Sequence, residues 1–276
     1  MSKKIAVIFP GIGYTCDKPL LYYSAKIAAN LGYEIRPVPY GNFPAQVKGN
    51  REKMVRSFET ALQQAEDMLQ DVDWTMYREI LFLSKSIGTI VAAAYGERHE
   101  LKVRNVSFTP LEDTFRFVHG EGIMFHGTAD PWVENSDVIR KACKKIGQTL
   151  YLTEQGNHSL ETGDVEADIS NLRVIMRQVS EFLQQNNQVR QQLRITGRVQ
   201  GVGFRYRAEY AASLLGITGW VRNEPDDSVT MEVQGTIQQI NEMMKMINKS
   251  PYIRMDWIDR KGLPVKTEET LFKVKY

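Results

Sequence analysis

The sequence predicts two folded units of different class. The first is an α/β unit with a mostly parallel sheet and helices on both faces; the second is a smaller α+β unit of split βαβ type. Three observations lead there. Up to about residue 184, short apolar runs alternate with amphipathic stretches, the signature of strands joined by crossover helices. The stretch QQNNQVRQQ then carries Val189 as its one apolar residue and reads as a linker. Beyond it the order becomes strand, helix, two strands, helix, strand. The expected boundaries are residues 1–184, a linker at 185–192, and residues 193–276.

In the first unit the candidate strands are IAVIF (5–9), YEIRPV (33–38), EILFLS (79–84), VRNVSF (103–108), GIMFHG (122–127) and TLYLT (149–153). Each is a compact apolar run of strand length. Between them Met54, Phe58, Ala61, Leu62, Ala65, Met68 and Leu69 recur at helical spacing, as do Ile139, Ala142 and Cys143. In the second unit the strands are LRITGRV (193–199), TGWVRN, SVTMEVQG and a final LFKVKY. Helices run from about Arg207 to Leu215 and from Ile237 to Asn248.

The chain has 276 residues, enough for two domains of about 100 to 200 residues each. A formal net charge of +2 supplies no electrostatic case for nucleic acid or for a membrane surface. Cys16 and Cys143 are the two cysteines, too few for a disulfide framework or a metal cluster, and they suit reduced thiols in the cytoplasm. The opening MSKKIAVIFPG is too briefly apolar for a signal peptide and reads as a first buried strand. No apolar run approaches ~18 residues, so no membrane span is expected.

Candidate chemistry begins at Ser84-Lys85-Ser86-Ile87-Gly88. This is the G-x-S-x-G pattern of a nucleophile on a strand-to-helix turn, with serine in place of the first glycine. Taken alone, Ser86 is either that nucleophile or a small turn residue. A serine nucleophile needs a base, an acid to orient the base, and amide donors for the oxyanion. Asp130 in HGTADPWV and His158 in GNHSLE follow later strands in the required order, at the carboxyl ends where open parallel sheets hold ligands. The loop FPGIGYT after the first strand offers the amide of Ile12, to be paired with that of Ile87. Singly, Asp130 before a proline suits a turn, His158 a loop histidine, and Lys85 a solvated side chain; Ser84 is the weaker nucleophile because it lies within the strand. His126 reads as structural, and His99 and His119 as surface or helix-end residues.

Together, FPGIGYT, SKSIG, HGTADPWV and GNHSLE resemble a small α/β-hydrolase over residues 1–184. The resemblance implies a Ser86–Asp130–His158 triad, an oxyanion hole at Ile12 and Ile87, and a soluble ester or thioester as substrate. The run between Ser86 and Asp130 is too short for a sizeable lid.

The second unit opens with GRVQGVGFR (197–205), a glycine-rich loop leading into a helix, whose amides can converge on an anion. Arg205 adds a planar fork for two phosphate oxygens. The Gly-Lys-Ser/Thr ending of a P-loop is absent, so nucleoside triphosphate binding is not indicated. Asn223, at the end of the second strand, is a neutral amide able to hold a water without repelling the anion. GRVQGVGFR, GWVRN and FKVKY resemble the acylphosphatase family from Leu193 to Tyr276, with Asp227 where the family turn usually has glycine.

That resemblance implies a ferredoxin-like fold and hydrolysis of acyl phosphates to carboxylate and phosphate. The phosphate would sit on the amides of Gln200, Gly201, Val202, Gly203 and Phe204 and on the side chain of Arg205, with Asn223 positioning water. An RNA-binding domain of the same topology would show stacking aromatics on its central strands, and VTMEVQG has none. The expectation is a bifunctional hydrolase for small-molecule acyl phosphates and esters or thioesters, without metal or cofactor. The alternative is that one unit binds rather than catalyses. Oligomeric state is not specified by anything in the sequence.

Overall fold

A computed structural model describes residues 3–133, 135–185, 188–266 and 268–276. The chain divides into two compact units, residues 1–182 and 183–276.

The first unit contains β1 (Lys3–Phe9), α1 (Pro19–Asn30), β2 (Glu34–Pro37), α2 (Arg51–Leu69), β3 (Tyr77–Lys85), α3 (Ile87–Arg98), β4 (Val103–Phe108), β5 (Glu121–Gly127), α4 (Ser136–Ile146), β6 (Thr149–Thr153) and α5 (Val165–Gln185). Its six strands are all parallel, in the order β2-β1-β3-β4-β5-β6. The central strands are buried along most of their length, which is why they read as continuous apolar runs rather than alternating ones. Helix α3 is buried from Ile87 to Gly96, and its sequence is correspondingly small and apolar on every side. Chain direction across the sheet reverses between β1 and β3, so the loops after these strands flank the crevice where such sheets bind ligands.

The second unit contains β7 (Gln188–Arg198), α6 (Phe204–Leu215), β8 (Thr218–Asn223), β9 (Val229–Thr236), α7 (Ile237–Asn248), β10 (Arg254–Leu263) and β11 (Phe272–Val274). The sheet order is β10-β7-β9-β8-β11, with every pairing antiparallel except β11 on β8. The first four strands in that order form the ferredoxin-like sheet. Its core is built from Leu193, Ile195, Val221, Met231 and Val233 of the sheet against Phe204, Ala208, Ile240 and Met243 of the two helices.

Two expectations are corrected here. Residues 188–192, read as linker, are the first residues of β7, a central strand; residues 186 and 187 lie outside the described set. The polar run folds because Arg190 is buried and paired with Glu232 on β9 and with Glu269. The fourth ferredoxin-like strand is β10, not LFKVKY, which supplies the short additional edge strand β11. Strand β10 is mostly exposed and rich in charge, as edge strands often are, so it carries no apolar alternation to betray it.

Among the described residues no helix is long and apolar enough to cross a membrane. Among the same residues no group of three or more His, Cys, Asp or Glu side chains could hold a metal ion.

Candidate active sites

Strand β3 delivers Ser86 onto a tight turn with φ 56° and ψ −125°, an unusual backbone for a residue with a Cβ and the geometry of a nucleophile elbow. Two glycines let the turn close. A Cβ on Gly88 would lie 2.2 Å from the carbonyl oxygen of Phe9, so strand β1 and helix α3 touch there through backbone. A Cβ on Gly11 would lie 3.2 Å from Cβ of Ser86, which sets the loop after β1 directly against the serine. Ser84, standing where the elbow pattern has its first glycine, is buried with its Oγ 3.3 Å from that of Ser107 on β4. The neighbouring strand also carries a small residue, and the extra hydroxyl is absorbed there.

The structure brings Ser86, His158 and Asp130 into one hydrogen-bonded line. His158 Nε2 lies 2.7 Å from Ser86 Oγ, and its Nδ1 lies 2.8 and 2.9 Å from the two oxygens of Asp130. With Asp130 ionised, Nδ1–H donates to it and Nε2 is left to accept the serine proton. Asp130 also accepts from the amide of Trp132, whose ring stacks on His158 with centroids 5.2 Å apart. Its placement in a turn therefore accompanies the carboxylate–imidazole pairing. A Cβ on Gly127 would lie 2.1 Å from the carbonyl of Gly156, so the loops after β5 and β6 approach through backbone and hold acid and base together.

The protonation states suit a base. Burial pushes the Asp130 carboxyl up, but the hydrogen bonds from His158 and Trp132 outweigh it and leave it below the ordinary carboxylate value. Burial lowers His158 below the ordinary histidine value; the bond to Asp130 opposes this and the charge of Lys85 adds to it.

The amides expected for an oxyanion hole are those of Ile87 and Ile12, and the loop of the second reaches the serine through Gly11. That of Ile87 is the first of helix α3, among the donors that no helical carbonyl serves. Ile12 sits at the tip of a tight turn closed by mutual bonds between Gly11 and Tyr14, and Tyr40 anchors the loop through the carbonyl of Pro10. Beside these loops a cavity of about 420 Å³ is lined by Tyr14, Leu20, Leu160, Ile169 and Leu172 among others.

The remaining histidines are elsewhere. His126 lies inside β5 with its Nδ1 3.8 Å from Asp130, beyond hydrogen-bond reach. His99 caps the end of α3, and His119 is exposed.

Lys85 departs from expectation. It is fully buried, not solvated, and donates to Thr109 Oγ1 and to the backbone carbonyl of His158, each at 2.6 Å. Its position as the last residue of a central parallel strand was the signal available in the sequence, because such a residue faces the protein interior on whichever side it points.

In the second unit, Gly201 and Gly203 adopt φ of 71° and 80°, which a side chain would strain, and these two glycines turn the loop into the start of α6. The helix begins at Phe204 rather than near Arg207, so Arg205 lies in its first turn. Gln200 lies in the loop, and its side-chain amide donates at 2.8 Å to the carbonyls of Glu224 and Ser228, tying the loop to the β8–β9 hairpin. Phe204 is buried in the core, and Val202 packs against it. Gly201, Gly203, Arg205 and Asn223 line one cavity of about 320 Å³, together with Tyr276, whose ring lies 5.1 Å from the Arg205 guanidinium. Asp227 occupies a left-handed backbone conformation at φ 63°, the place of the family glycine.

Residues 191–274 match the acylphosphatase family model. The acylphosphatase of Oceanobacillus iheyensis is 43% identical over 84 residues, which is 30% of this chain and 92% of that protein. The chain belongs to the acylphosphatase family. A second acylphosphatase relative, from Clostridium perfringens, is 42% identical over 85 residues and 96% covered. The acylphosphatase domain is similar in structure to the acylphosphatase of Bacillus subtilis, at 27% identity and TM-score 0.30, covering 32% of this chain and 99% of that one. The first unit lies outside the residues that the family model matches. Structural similarity covering 66% of this chain reaches a chain from Xanthomonas campestris described as an α/β-superfamily hydrolase (14% identity, TM-score 0.48, 98% of that chain). It also reaches Est1E from Butyrivibrio proteoclasticus (11% identity, TM-score 0.49, 89% of that chain).

Proposed function

We propose that the chain is a bifunctional hydrolase, an acylphosphatase joined to a serine hydrolase for small carboxylic esters or thioesters. The observation that carries the serine-hydrolase half is the Ser86–His158–Asp130 line, with both hydrogen bonds made. Ser86 Oγ attacks the substrate carbonyl while His158 Nε2 takes its proton. The oxygen becomes an oxyanion held by the amides of Ile12 and Ile87, and the alcohol or thiol leaves with the proton from His158. Water, deprotonated by the same imidazole, then releases the carboxylic acid and restores Ser86. The mostly apolar cavity lined by Tyr14, Leu20 and, just after His158 in the chain, Ser159 and Leu160 suits the organic part of the ester.

In the acylphosphatase half, Arg205 and the amides of residues 200–204 hold the phosphoryl oxygens, and Asn223 orients a water in line with the leaving carboxylate. The products are phosphate and a carboxylate, with neither metal nor cofactor drawn into the step. The family membership and the shared cavity of Arg205 and Asn223 support this reading. The two free thiols, Cys16 and Cys143, suit a reducing cytoplasm.

The test assays p-nitrophenyl acetate, benzoyl phosphate and a fluorophosphonate probe against the wild type, Ser86→Ala and Arg205→Ala. Ser86→Ala should lose probe labelling and lower ester turnover by at least about 10³-fold, sparing acyl phosphate hydrolysis. Arg205→Ala should do the reverse. Ester turnover surviving in Ser86→Ala would refute the nucleophile.

A further inference from the structure

Resting on the serine-hydrolase reading above, we propose that Lys85 is a positioning residue for the base: its ammonium ties the ends of β3 and β4 to the backbone of His158 and sets a positive charge behind the imidazole. The geometry accounts for all three ammonium donors. One reaches Thr109 Oγ1 and a second the His158 carbonyl, while the third side of the group faces the ring of Tyr14, 5.0 Å from its centroid. All three partners are neutral, so the charge is solvated by the protein without being cancelled by a direct ion pair. Thr109 accepts from a left-handed backbone, φ 43°, which a β-branched residue rarely adopts and which the hydrogen bond from its own amide to the Phe125 carbonyl holds in place. A strained threonine, a buried lysine and the histidine loop thus meet at one nitrogen.

That arrangement has two consequences for the imidazole. The His158 carbonyl is anchored from below, which helps to aim the ring at Ser86 and stack it on Trp132. The nearby positive charge also disfavours a second one on the ring, which keeps the base unprotonated. The other charged and titratable groups facing the cluster are Asp130, Glu161, Lys48 and His126, together with the phenol of Tyr14. Burial draws Lys85 itself down to about 7, with Asp130 and Glu161 opposing, so the cation is present through the acid range, is about half lost near neutral pH and fades above it.

The experiment follows fluorophosphonate labelling of the full chain against pH for the wild type, Lys85→Met and Lys85→Gln. The wild type should label with an acid limb below about 6.5, the ordinary histidine value. Both neutral variants should label at least about tenfold more slowly at pH 7. Their acid limbs should move upward by on the order of one pH unit, as loss of a nearby charge requires. A role confined to packing would slow labelling without moving the limb. If Lys85→Met does not fold, Lys85→Gln and the wild-type limb carry the test. A labelled wild type whose limb lies at or above 6.5, or coincides with that of either folded variant, overturns the role of Lys85 alone. A folded wild type that never labels overturns the nucleophile itself, and the role of Lys85 with it.

Discussion

The hydroxyl of Ser84 stands 3.3 Å from that of Ser107, its register partner on the next strand, in the buried place where the elbow pattern has a glycine. On the other side of the elbow, Gly88 meets the backbone of β1 with no space for even a methyl group. The two positions of one sequence motif are therefore unequal. Ser84→Ala should cost about 1 kcal/mol, the worth of a buried hydrogen bond, and leave ester turnover within a few-fold of wild type. Gly88→Ala should cost at least about 2 kcal/mol, because backbone rather than a flexible side chain has to move. Denaturant unfolding of both variants measures the difference.

Asp130 holds the imidazole in the tautomer that leaves Nε2 free. Asp130→Asn retains the shape but can donate to Nδ1, which favours the wrong tautomer. Ester kcat should fall by about 10³- to 10⁴-fold, with KM little changed and the acylphosphatase rate intact. Steady-state kinetics on both substrates would show it, and a variant of near-normal kcat would remove Asp130 from the mechanism.

Asn223 and Arg205 line the same cavity, so the charge of residue 223 bears directly on an anionic substrate. Asn223→Asp should therefore be worse than Asn223→Ala, since the carboxylate both binds water and repels phosphate. Competitive inhibition by inorganic phosphate reads this most simply. We expect the inhibition constant to rise at least about tenfold for Asn223→Asp and far less for Asn223→Ala. Equal values would place Asn223 away from the phosphate.

Arg190 is fully buried between Glu232 and Glu269 in the middle of the second sheet. Arg190→Met leaves two adjacent carboxylates without their cation. Both retain some solvent contact, so the cost should fall near the lower end for a broken buried pair, about 2 to 3 kcal/mol. Arg190→Met combined with Glu232→Gln and Glu269→Gln should recover most of it. Equilibrium unfolding of the acylphosphatase transition tests both statements.

The residues of both candidate sites were legible because their chemistry is compressed into short stretches. Ser86 is framed by its elbow, Arg205 by its glycine loop, and Asp130 and His158 follow apolar runs of strand length. The burial of Lys85 was signalled only by its place at the end of a central strand, and its partners were not legible, because a lysine carries the same letter whether its ammonium lies in water or between Thr109 and a carbonyl. The start of β7 was missed for a similar reason: a glutamine-rich run with one arginine reads as solvated chain until Glu232 and Glu269 are seen to converge on it. Strand β10 was missed because an edge strand with charged faces has no apolar period.

The sequence by itself determined the class of each unit, the six strands of the first and the chain order of Ser86, Asp130 and His158, since local periodicity and motif spacing are properties of neighbours along the chain. The tertiary structure alone decided that these three side chains meet within hydrogen-bond distance and that Ser84 can replace a glycine. It alone decided that Lys85 is buried against Thr109 and the backbone of His158. Each of these depends on what a distant segment places opposite the residue, and burial, charge and hydrogen bonding are set by that partner rather than by the neighbours in sequence.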